Sequence, residues 1–211
     1  MEKIRLHLGD SLEAMKEMPD NAYDLAIVDP PYGLGLKTVS KPSEKNKNSQ
    51  QKFYNDLTKK QWDNKIPEEQ YFIQLKRVCK NFIIWGANYM LDYLGPTKCI
   101  LIWDKMTYIP TMSQYEFAFT SFNKHPKIVK INSNQLDRIH PTQKPVKLYE
   151  WLLDNYAKEG DKILDTHLGS GSIALACHNR KFDLDGWEID EEYYNNAVKR
   201  LKTHQQQLTI F

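Results

Sequence analysis

An acidic residue, two prolines and a tyrosine form the stretch of this sequence that is best suited to chemistry. Asp29, Pro30, Pro31 and Tyr32 directly follow the apolar run 25–28, which is typical of a short buried strand. The prolines fix φ and lack backbone N–H donors, so the chain can neither continue a sheet nor begin an ordinary helix there. Ligands of open α/β sheets bind at the carboxyl ends of strands, and we therefore expect a site at this loop.

These groups suit the alkylation of an exocyclic amino group on a nucleobase, which is a poor nucleophile because its lone pair is delocalised into the ring. The Asp29 carboxylate and the Pro30 carbonyl could accept both N–H bonds and favour the pyramidal, nucleophilic form. The same acceptors would stabilise the positive charge that develops on the nitrogen. The Tyr32 ring could stack on the base, which is worth roughly 1–3 kcal/mol. The plainer alternative is a strand-ending turn that happens to contain two prolines.

A second group of residues, late in the chain, is typical of a nucleotide-binding turn. Asp165, Gly169 and Gly171 lie between a predicted buried strand and a predicted helix, whose N-terminus would offer N–H groups to a ligand. Glu188 ends the next predicted strand, where it could accept ribose hydroxyls. Asp10 ends the first predicted strand and could accept from an adenine amino group. The pattern lacks the third glycine of the dinucleotide fingerprint. The plainer alternative is a solvated charge at a helix start for Glu188, and a turn next to Gly9 for Asp10.

Strands and helices that alternate along the chain must position these residues. The alternation predicts an α/β fold with a mostly parallel, doubly wound sheet. We also predict an α-helix that is capped by Ser11 and a short helix over residues 87–94. A strand over 115–122 is expected to pair antiparallel with a strand over 127–131, as the one antiparallel hairpin.

The composition is that of an ordinary globular protein, and we expect residues 1–211 to form a single domain. Apolar residues make up 41% and charged residues 27% of the 211 residues, and the net charge is +2. In residues 37–65, eight lysines against three acids leave a local balance of +5. We therefore predict a basic loop at about 33–66, for which a solvated, mobile surface loop is the plainer interpretation.

The cysteines and the chain ends bear on the cellular compartment. Cys79, Cys99 and Cys177 are widely spaced in apolar surroundings, which predicts buried, reduced thiols and a cytoplasmic protein. We expect no signal peptide and no membrane segment, because no apolar run approaches membrane-spanning length. The thiols form no CxxC pair, and we expect no metal site.

Four motifs in an unusual order resemble those of the beta-class DNA amino-methyltransferases, and the resemblance covers nearly the whole chain. In that class the catalytic Asp-Pro-Pro-Tyr motif precedes the glycine motif that binds S-adenosylmethionine. The resemblance implies a Rossmann-like methyltransferase sheet with a circularly permuted motif order, and chain termini that lie near each other. The motifs are Gly9-Asp10-Ser11, Asp29-Pro30-Pro31-Tyr32, His140-Pro141-Thr142-Gln143-Lys144-Pro145 and the segment 165–172.

The resemblance also implies roles for single residues. Asp10 is expected to bind the cofactor adenine, Glu188 its ribose, and the glycine turn its methionine. Thr142 and Lys144 are expected near the methionine carboxylate. The complete predicted sets are Asp29, Pro30, Pro31 and Tyr32 for catalysis, and Asp10, Ser11, Leu12, Asp29, Thr142, Lys144, Asp165, His167, Leu168, Gly169, Ser170, Gly171, Ser172, Glu188 and Ile189 for the cofactor.

Two features depart from the family pattern. Thr166 and His167 stand where the family usually has Pro-Phe, so the ring beneath the cofactor would be an imidazole. The usual large target-recognition insert is missing, so we expect the basic loop and residues 106–137 to contact the DNA phosphates.

The resulting hypothesis is methyl transfer from S-adenosylmethionine to N6 of an adenine that is rotated out of double-stranded DNA, as in restriction–modification. Cytosine N4 is the alternative target, and a catalytically silent nucleic-acid-binding module is the alternative class. RNA or protein amide methyltransferases are disfavoured by the motif order. We expect a monomer or homodimer. The peptide Gln207–Phe211 resembles those that bind the bacterial sliding clamp, with a frayed C-terminus as the alternative.

Overall fold

The computed structural model describes residues 2–35, 63–108, 113–134, 138–140 and 142–208. Most of the predicted basic loop at 33–66 lies outside these residues, as do Pro141 and the last three residues of the predicted clamp-binding peptide. Their predicted roles therefore stay predictions. Within the described residues, no helix is long and apolar enough to cross a membrane.

Eight strands form one sheet in the order β1-β8-β7-β2-β3-β5-β4-β6. Seven strands run in the same direction, and β5 runs antiparallel to both of its neighbours, β3 and β4. This confirms the predicted α/β fold with a mostly parallel sheet. The strands are β1 Ile4–Leu8, β2 Tyr23–Val28, β3 Cys79–Trp85, β4 Ile100–Asp104, β5 Tyr115–Thr120, β6 Lys127–Lys130, β7 Lys162–Asp165 and β8 Asp183–Glu188.

Helices cover both faces of the sheet. Successive residues of β2 belong to two different apolar clusters. Leu25 and Ile27 lie in one cluster, and Ala26 and Val28 lie in the other. Because both faces are covered, this strand is a continuous apolar run rather than an alternating one. The helices are α1 Ser11–Glu17, α2 Glu69–Val78, α3 Leu91–Leu94, α4 Val146–Tyr156, α5 Ser172–Arg180 and α6 Glu191–Leu208, with a 3-10 turn at Ala87–Tyr89.

Three local predictions are corrected by the structure. β6 pairs parallel with β4, so the antiparallel hairpin consists of β4 and β5 rather than of the strands predicted at 115–122 and 127–131. The side chain that caps α1 is Asp10, which accepts from the backbone N–H of Leu12 at 2.8 Å, and not Ser11. The helix predicted over 87–94 is divided at Met90 into the 3-10 turn and α3.

The two ends of the described chain meet at one histidine. Nδ1 of His178 on α5 lies 2.7 Å from a carboxylate oxygen of Glu2. The ring centroid of His178 lies 5.9 Å from that of His204 on α6. Residues 2 and 204, close to the two ends of the described chain, thus lie near each other, in agreement with a circularly permuted motif order. The three cysteines are buried and form no disulfide.

Candidate active site

Four adjacent strands bring acidic residues to the carboxyl edge of the sheet. Asp10 follows β1, Glu188 ends β8, Asp165 ends β7 and Asp29 follows β2. Because these strands are parallel neighbours, the segments that follow β2, β7 and β8 line a common cavity of about 270 Å³. The cavity is lined by Asp29, Pro31, His140, Thr142, Gln143, Lys144, Tyr149, His167, Leu168, Gly169, Ser170, Glu188, Ile189, Asp190 and Tyr193.

The cavity thus joins the early acidic loop to the late glycine turn. The predicted site residues on its lining are Asp29, Pro31, Thr142, Lys144, His167, Leu168, Gly169, Ser170, Glu188 and Ile189. The remaining predicted residues do not line it, namely Asp10, Ser11, Leu12, Pro30, Tyr32, Asp165, Gly171 and Ser172. Of these, Asp165 and Tyr32 lie directly behind the wall, where they bond to residues that do line it.

Glu188 holds the glycine turn in place. One carboxylate oxygen accepts from the N–H of Gly169 at 2.8 Å, and the other accepts from the N–H of Asp190 at 2.9 Å. At Gly171, φ is +71° and an added Cβ would lie 3.0 Å from the Cβ of Ala197 on α6, so a glycine is required there. The backbone N–H of Ile189 also donates to this carboxylate. With three backbone donors, the Glu188 carboxylate keeps acceptor capacity for a ligand hydroxyl, since it has about four lone-pair positions.

Asp165 is an acid without a cationic partner among the described residues. Its side chain is buried, and one oxygen accepts from the backbone N–H of His167 at 3.0 Å. Burial is the main reason that the pKa of the Asp165 carboxyl is raised to about 8, and nearby Asp29 adds to the effect. The carboxyl is therefore largely protonated at neutral pH in the structure without a ligand.

A chain of hydrogen bonds holds His167 in place. His167 Nδ1 lies 2.9 Å from the hydroxyl of Thr166, which lies 2.6 Å from the hydroxyl of Tyr71 on α2. The rings of His167 and Tyr71 also meet edge to face at 5.4 Å. Burial lowers the pKa of His167 to about 4, so a neutral imidazole faces the cavity.

Asp29 lies within a buried ionic cluster. Its Oδ1 accepts from the hydroxyl of Tyr32 at 2.6 Å and from Nζ of Lys144 at 2.6 Å. The same ammonium lies 2.9 Å from Oε2 of Glu116, whose Oε1 accepts from Lys105 at 2.8 Å. Burial raises the pKa of the Asp29 carboxyl, and Lys144 opposes that effect.

The Tyr32 ring is fixed by packing and by its backbone. An added Cβ at Gly86 would lie 2.2 Å from Cε1 of Tyr32, so the ring fits only against a glycine. Its outer neighbour is Tyr89, with nearly parallel rings whose centroids are 5.3 Å apart. Asp63 Oδ1 accepts from the N–H groups of Tyr32 and Gly33, at 2.6 and 3.0 Å.

Sequence reasoning missed several residues of this site. Glu116 was not singled out, although an acid within a predicted strand of aromatic and apolar residues was an available signal. Tyr149 lines the cavity from the inner face of α4, where helical spacing alone predicts a core residue. Tyr193 reaches the cavity from α6, and His140 packs edge to face against it at 4.3 Å. Within the described ranges, no group of three or more His, Cys, Asp or Glu side chains could hold a metal ion.

The fold and the cavity define a class of α/β protein with a nucleotide-type pocket at the carboxyl edge of a doubly wound sheet. Residues 84–199, more than half of the chain, match the family model described as DNA methylase, of the N6/N4 type. The chain belongs to this family of DNA methylases. The amino-methyltransferase class predicted from the order of the motifs is thereby confirmed.

Individual relatives agree with this assignment. The chain is similar to the type II methyltransferase M.HpaI of Haemophilus parainfluenzae, with 25% identity over 93% of this chain and 74% of that protein. Among solved structures, the M1.HpyAVI–SAM complex superposes with a TM-score of 0.62 at 20% identity, over 94% of this chain and 100% of that chain. The cytosine-N4-specific PvuII DNA methyltransferase also gives 0.62, at 13% identity over 98% and 93%.

Proposed function

We propose that this DNA methylase transfers a methyl group from S-adenosylmethionine to N6 of an adenine that is rotated out of double-stranded DNA. The observation that carries the proposal is the shared cavity, because Asp29 and Gly169 line the same space. Asp29 and Pro30 would hold the target amino group, while the glycine turn would hold the cofactor. Three buried, unpaired thiols favour action in the cytoplasm.

The donor groups of the cavity fit this cofactor. The acids on the cavity lining are Asp29, Glu188 and Asp190, and their carboxylates suit a ligand with a sulfonium and an ammonium group. Glu188 would accept from the ribose hydroxyls, and His167 would contact the ligand from below. Asp165 would act from behind the cavity wall, where it accepts from the backbone N–H of His167. When bound, the cofactor supplies an electrophilic methyl group.

The remaining work falls to Asp29, Pro30 and Tyr32. The carboxylate and the carbonyl accept the two N–H bonds of the target amino group, which localises the nitrogen lone pair. They also stabilise the positive charge on the alkylated nitrogen, which then loses a proton without needing a strong base. Tyr32 stacks on the flipped base. Positioning and electrostatics therefore supply most of the rate enhancement.

The choice of adenine rests on Asp29, because an acid at this motif position resembles adenine-directed members of the class. Cytosine N4 methylation by the same mechanism is the second candidate, since the cytosine-N4-specific PvuII enzyme has a similar fold. Incubation with DNA and tritiated cofactor, followed by nucleoside mass spectrometry, distinguishes the two. N6-methyladenine supports the proposal, and N4-methylcytosine contradicts the choice of base.

Asp29→Ala should abolish methyl transfer to DNA while cofactor binding stays within a few-fold of wild type, because the target acceptor is lost and the glycine turn is intact. The measurement is tritium transfer together with cofactor titration calorimetry. Asp24→Asn is the matched control, because Asp24 is an ion-paired acid at the opposite end of β2. Near-normal turnover of Asp29→Ala would show the mechanism to be wrong.

A further inference from the structure

Lys144 has no donor left for a ligand in the cavity. Its side chain is only 2% exposed, and its ammonium contacts Asp29 Oδ1 at 2.6 Å, Glu116 Oε2 at 2.9 Å and the Tyr32 hydroxyl at 3.1 Å. An ammonium has three N–H bonds, and these three acceptors use all of them. The geometry therefore directs Lys144 toward the catalytic loop rather than toward a methionine carboxylate.

Glu116 holds this lysine from the other side. β5 is inserted antiparallel between β3 and β4, which brings Glu116 to the same edge of the sheet as Asp29. The two carboxylates therefore hold Lys144 between two different strands of the sheet. Nζ of Lys105 lies 2.8 Å from the second carboxylate oxygen of Glu116. The cluster thus contains two lysines and two acids, whose charges balance.

A second carboxylate matters because Asp29 has another task. Once Asp29 accepts from a target amino group, its charge is shared between that group and Lys144. A buried ammonium with a single, shared partner would be poorly compensated, and breaking a buried ion pair is costly. Glu116 retains Lys144 in position while Asp29 binds its target.

We propose that Glu116 is a positioning residue for methyl transfer, which acts by holding Lys144 against Asp29 and Tyr32. This inference rests on the proposed function, and it adds to that function a residue that the motifs do not contain. Glu116 does not line the cavity, so its effect should fall on turnover and not on cofactor affinity.

The pKa values of the cluster agree with this geometry. Burial would lower the pKa of Lys144, but Asp29 and Glu116 outweigh it and raise the value. Burial would raise the pKa of Glu116, but Lys144 and Lys105 lower it to about 2, so Glu116 stays ionised. The titratable groups around Lys144 are Asp29, Tyr32 and Glu116 in direct contact, with Lys105 behind Glu116 and Asp165 at longer range. Tyr149 of α4 lines the same cavity and interacts electrostatically with Asp29 and Glu116.

The test is Glu116→Gln, assayed for kcat against pH and for cofactor affinity. We expect kcat to fall on the order of tenfold to a hundredfold, because the catalytic groups lose their alignment. Cofactor affinity should stay within about twofold of wild type. The alkaline loss of activity should move to lower pH, since Lys144 loses one of its two anionic partners. If Glu116 had only a structural role, its substitution would not shift the alkaline limb of the pH profile of kcat.

Two further variants complete the experiment. Glu116→Asp keeps the charge, so it should recover the wild-type alkaline limb with an intermediate kcat, and it decides the matter if Glu116→Gln does not fold. Glu150→Gln removes a similarly exposed, ion-paired acid of α4 that does not line the cavity, and it should leave kcat unchanged.

The outcomes separate the two hypotheses. A wild-type enzyme that binds cofactor but never methylates DNA would contradict the proposed function. If the wild type methylates DNA while folded Glu116 variants match its kcat and pH profile, the positioning role alone is overturned.

Discussion

Two neighbouring acids, one on the cavity lining and one behind it, are held in different states by their surroundings. Asp29 contacts the ammonium of Lys144, whereas Asp165 forms no ion pair among the described residues and accepts from the backbone N–H of His167. The sequence predicted both residues because each ends an apolar strand. It could not predict their states, because the ion pair depends on Lys144, which is distant in sequence and reaches Asp29 only after folding.

Asp165 should make the cofactor-free protein less stable at alkaline pH. Its folded-state pKa of about 8 lies above the unfolded value near 3.9, so its stabilising contribution is complete below about pH 4 and is lost as the pH rises through 8. Asp165→Asn should therefore raise Tm more at pH 9 than at pH 5. A gain of 1 kcal/mol corresponds to about 2–4 °C in a chain of this size.

Thermal denaturation of the cofactor-free protein at the two pH values measures this effect. Asp161→Asn is a suitable control, because Asp161 lies just before β7 but outside the cavity. An equal Tm change at both pH values would contradict the assigned state of Asp165.

At the scale of elements, the position of β5 explains which site residues the sequence reveals. Apolar runs identified β2 and β7, and strand-end acids followed from them. The apolar pattern of residues 115–122 identified a strand but not its neighbours, because the same pattern is compatible with parallel and with antiparallel pairing. The insertion of β5 between β3 and β4, and with it the place of Glu116, is decided by tertiary packing.

The position of the Tyr32 ring beside the end of β3 depends on the absence of a side chain at Gly86. In Gly86→Ala the new Cβ would overlap the Tyr32 ring at 2.2 Å, so the ring must move away from Asp29. We expect methyl transfer to fall on the order of a hundredfold, with cofactor binding retained.

Gly95→Ala is the matched control for this substitution. Gly95 has φ +73° and ψ −167°, a region that is essentially confined to glycine, whereas Gly86 has φ +72° and ψ +23°. Gly95→Ala therefore carries at least as much backbone strain as Gly86→Ala, and no atom lies within 4 Å of its added Cβ. Equal losses of activity in the two variants would show that strain, and not the position of Tyr32, is responsible.

For the whole molecule, the contact of both chain ends with α5 predicts that the order of the motifs can be changed. A circular permutant that joins the termini by a flexible linker and opens at the exposed turn 159–160 would begin with β7. The order of the strands in the sheet should be preserved, because residues 159–160 belong to no strand and form no strand pair. We expect a folded protein that binds the cofactor.

Far-ultraviolet circular dichroism and cofactor calorimetry test the permutant against the parent chain. A chain opened inside β7 is the control, because it interrupts pairing with both β2 and β8. If both rearranged chains fail alike, the contact at His178 does not reflect interchangeable ends.

The loop that begins at Asp29 is held at residues 32–35 by contacts with Asp63. The N–H of Gly35 donates to the carbonyl of Asp63 at 2.9 Å, and the Asp63 side chain grips the backbone of Tyr32 and Gly33. The chain thus departs and returns at one place, and the entropic cost of closing such an excursion grows only slowly with its length. Gly35 and Asp63 thus anchor the two ends of segment 36–62 beside Tyr32, so each doubling of the length of that segment should cost only about 0.6 kcal/mol of folding free energy.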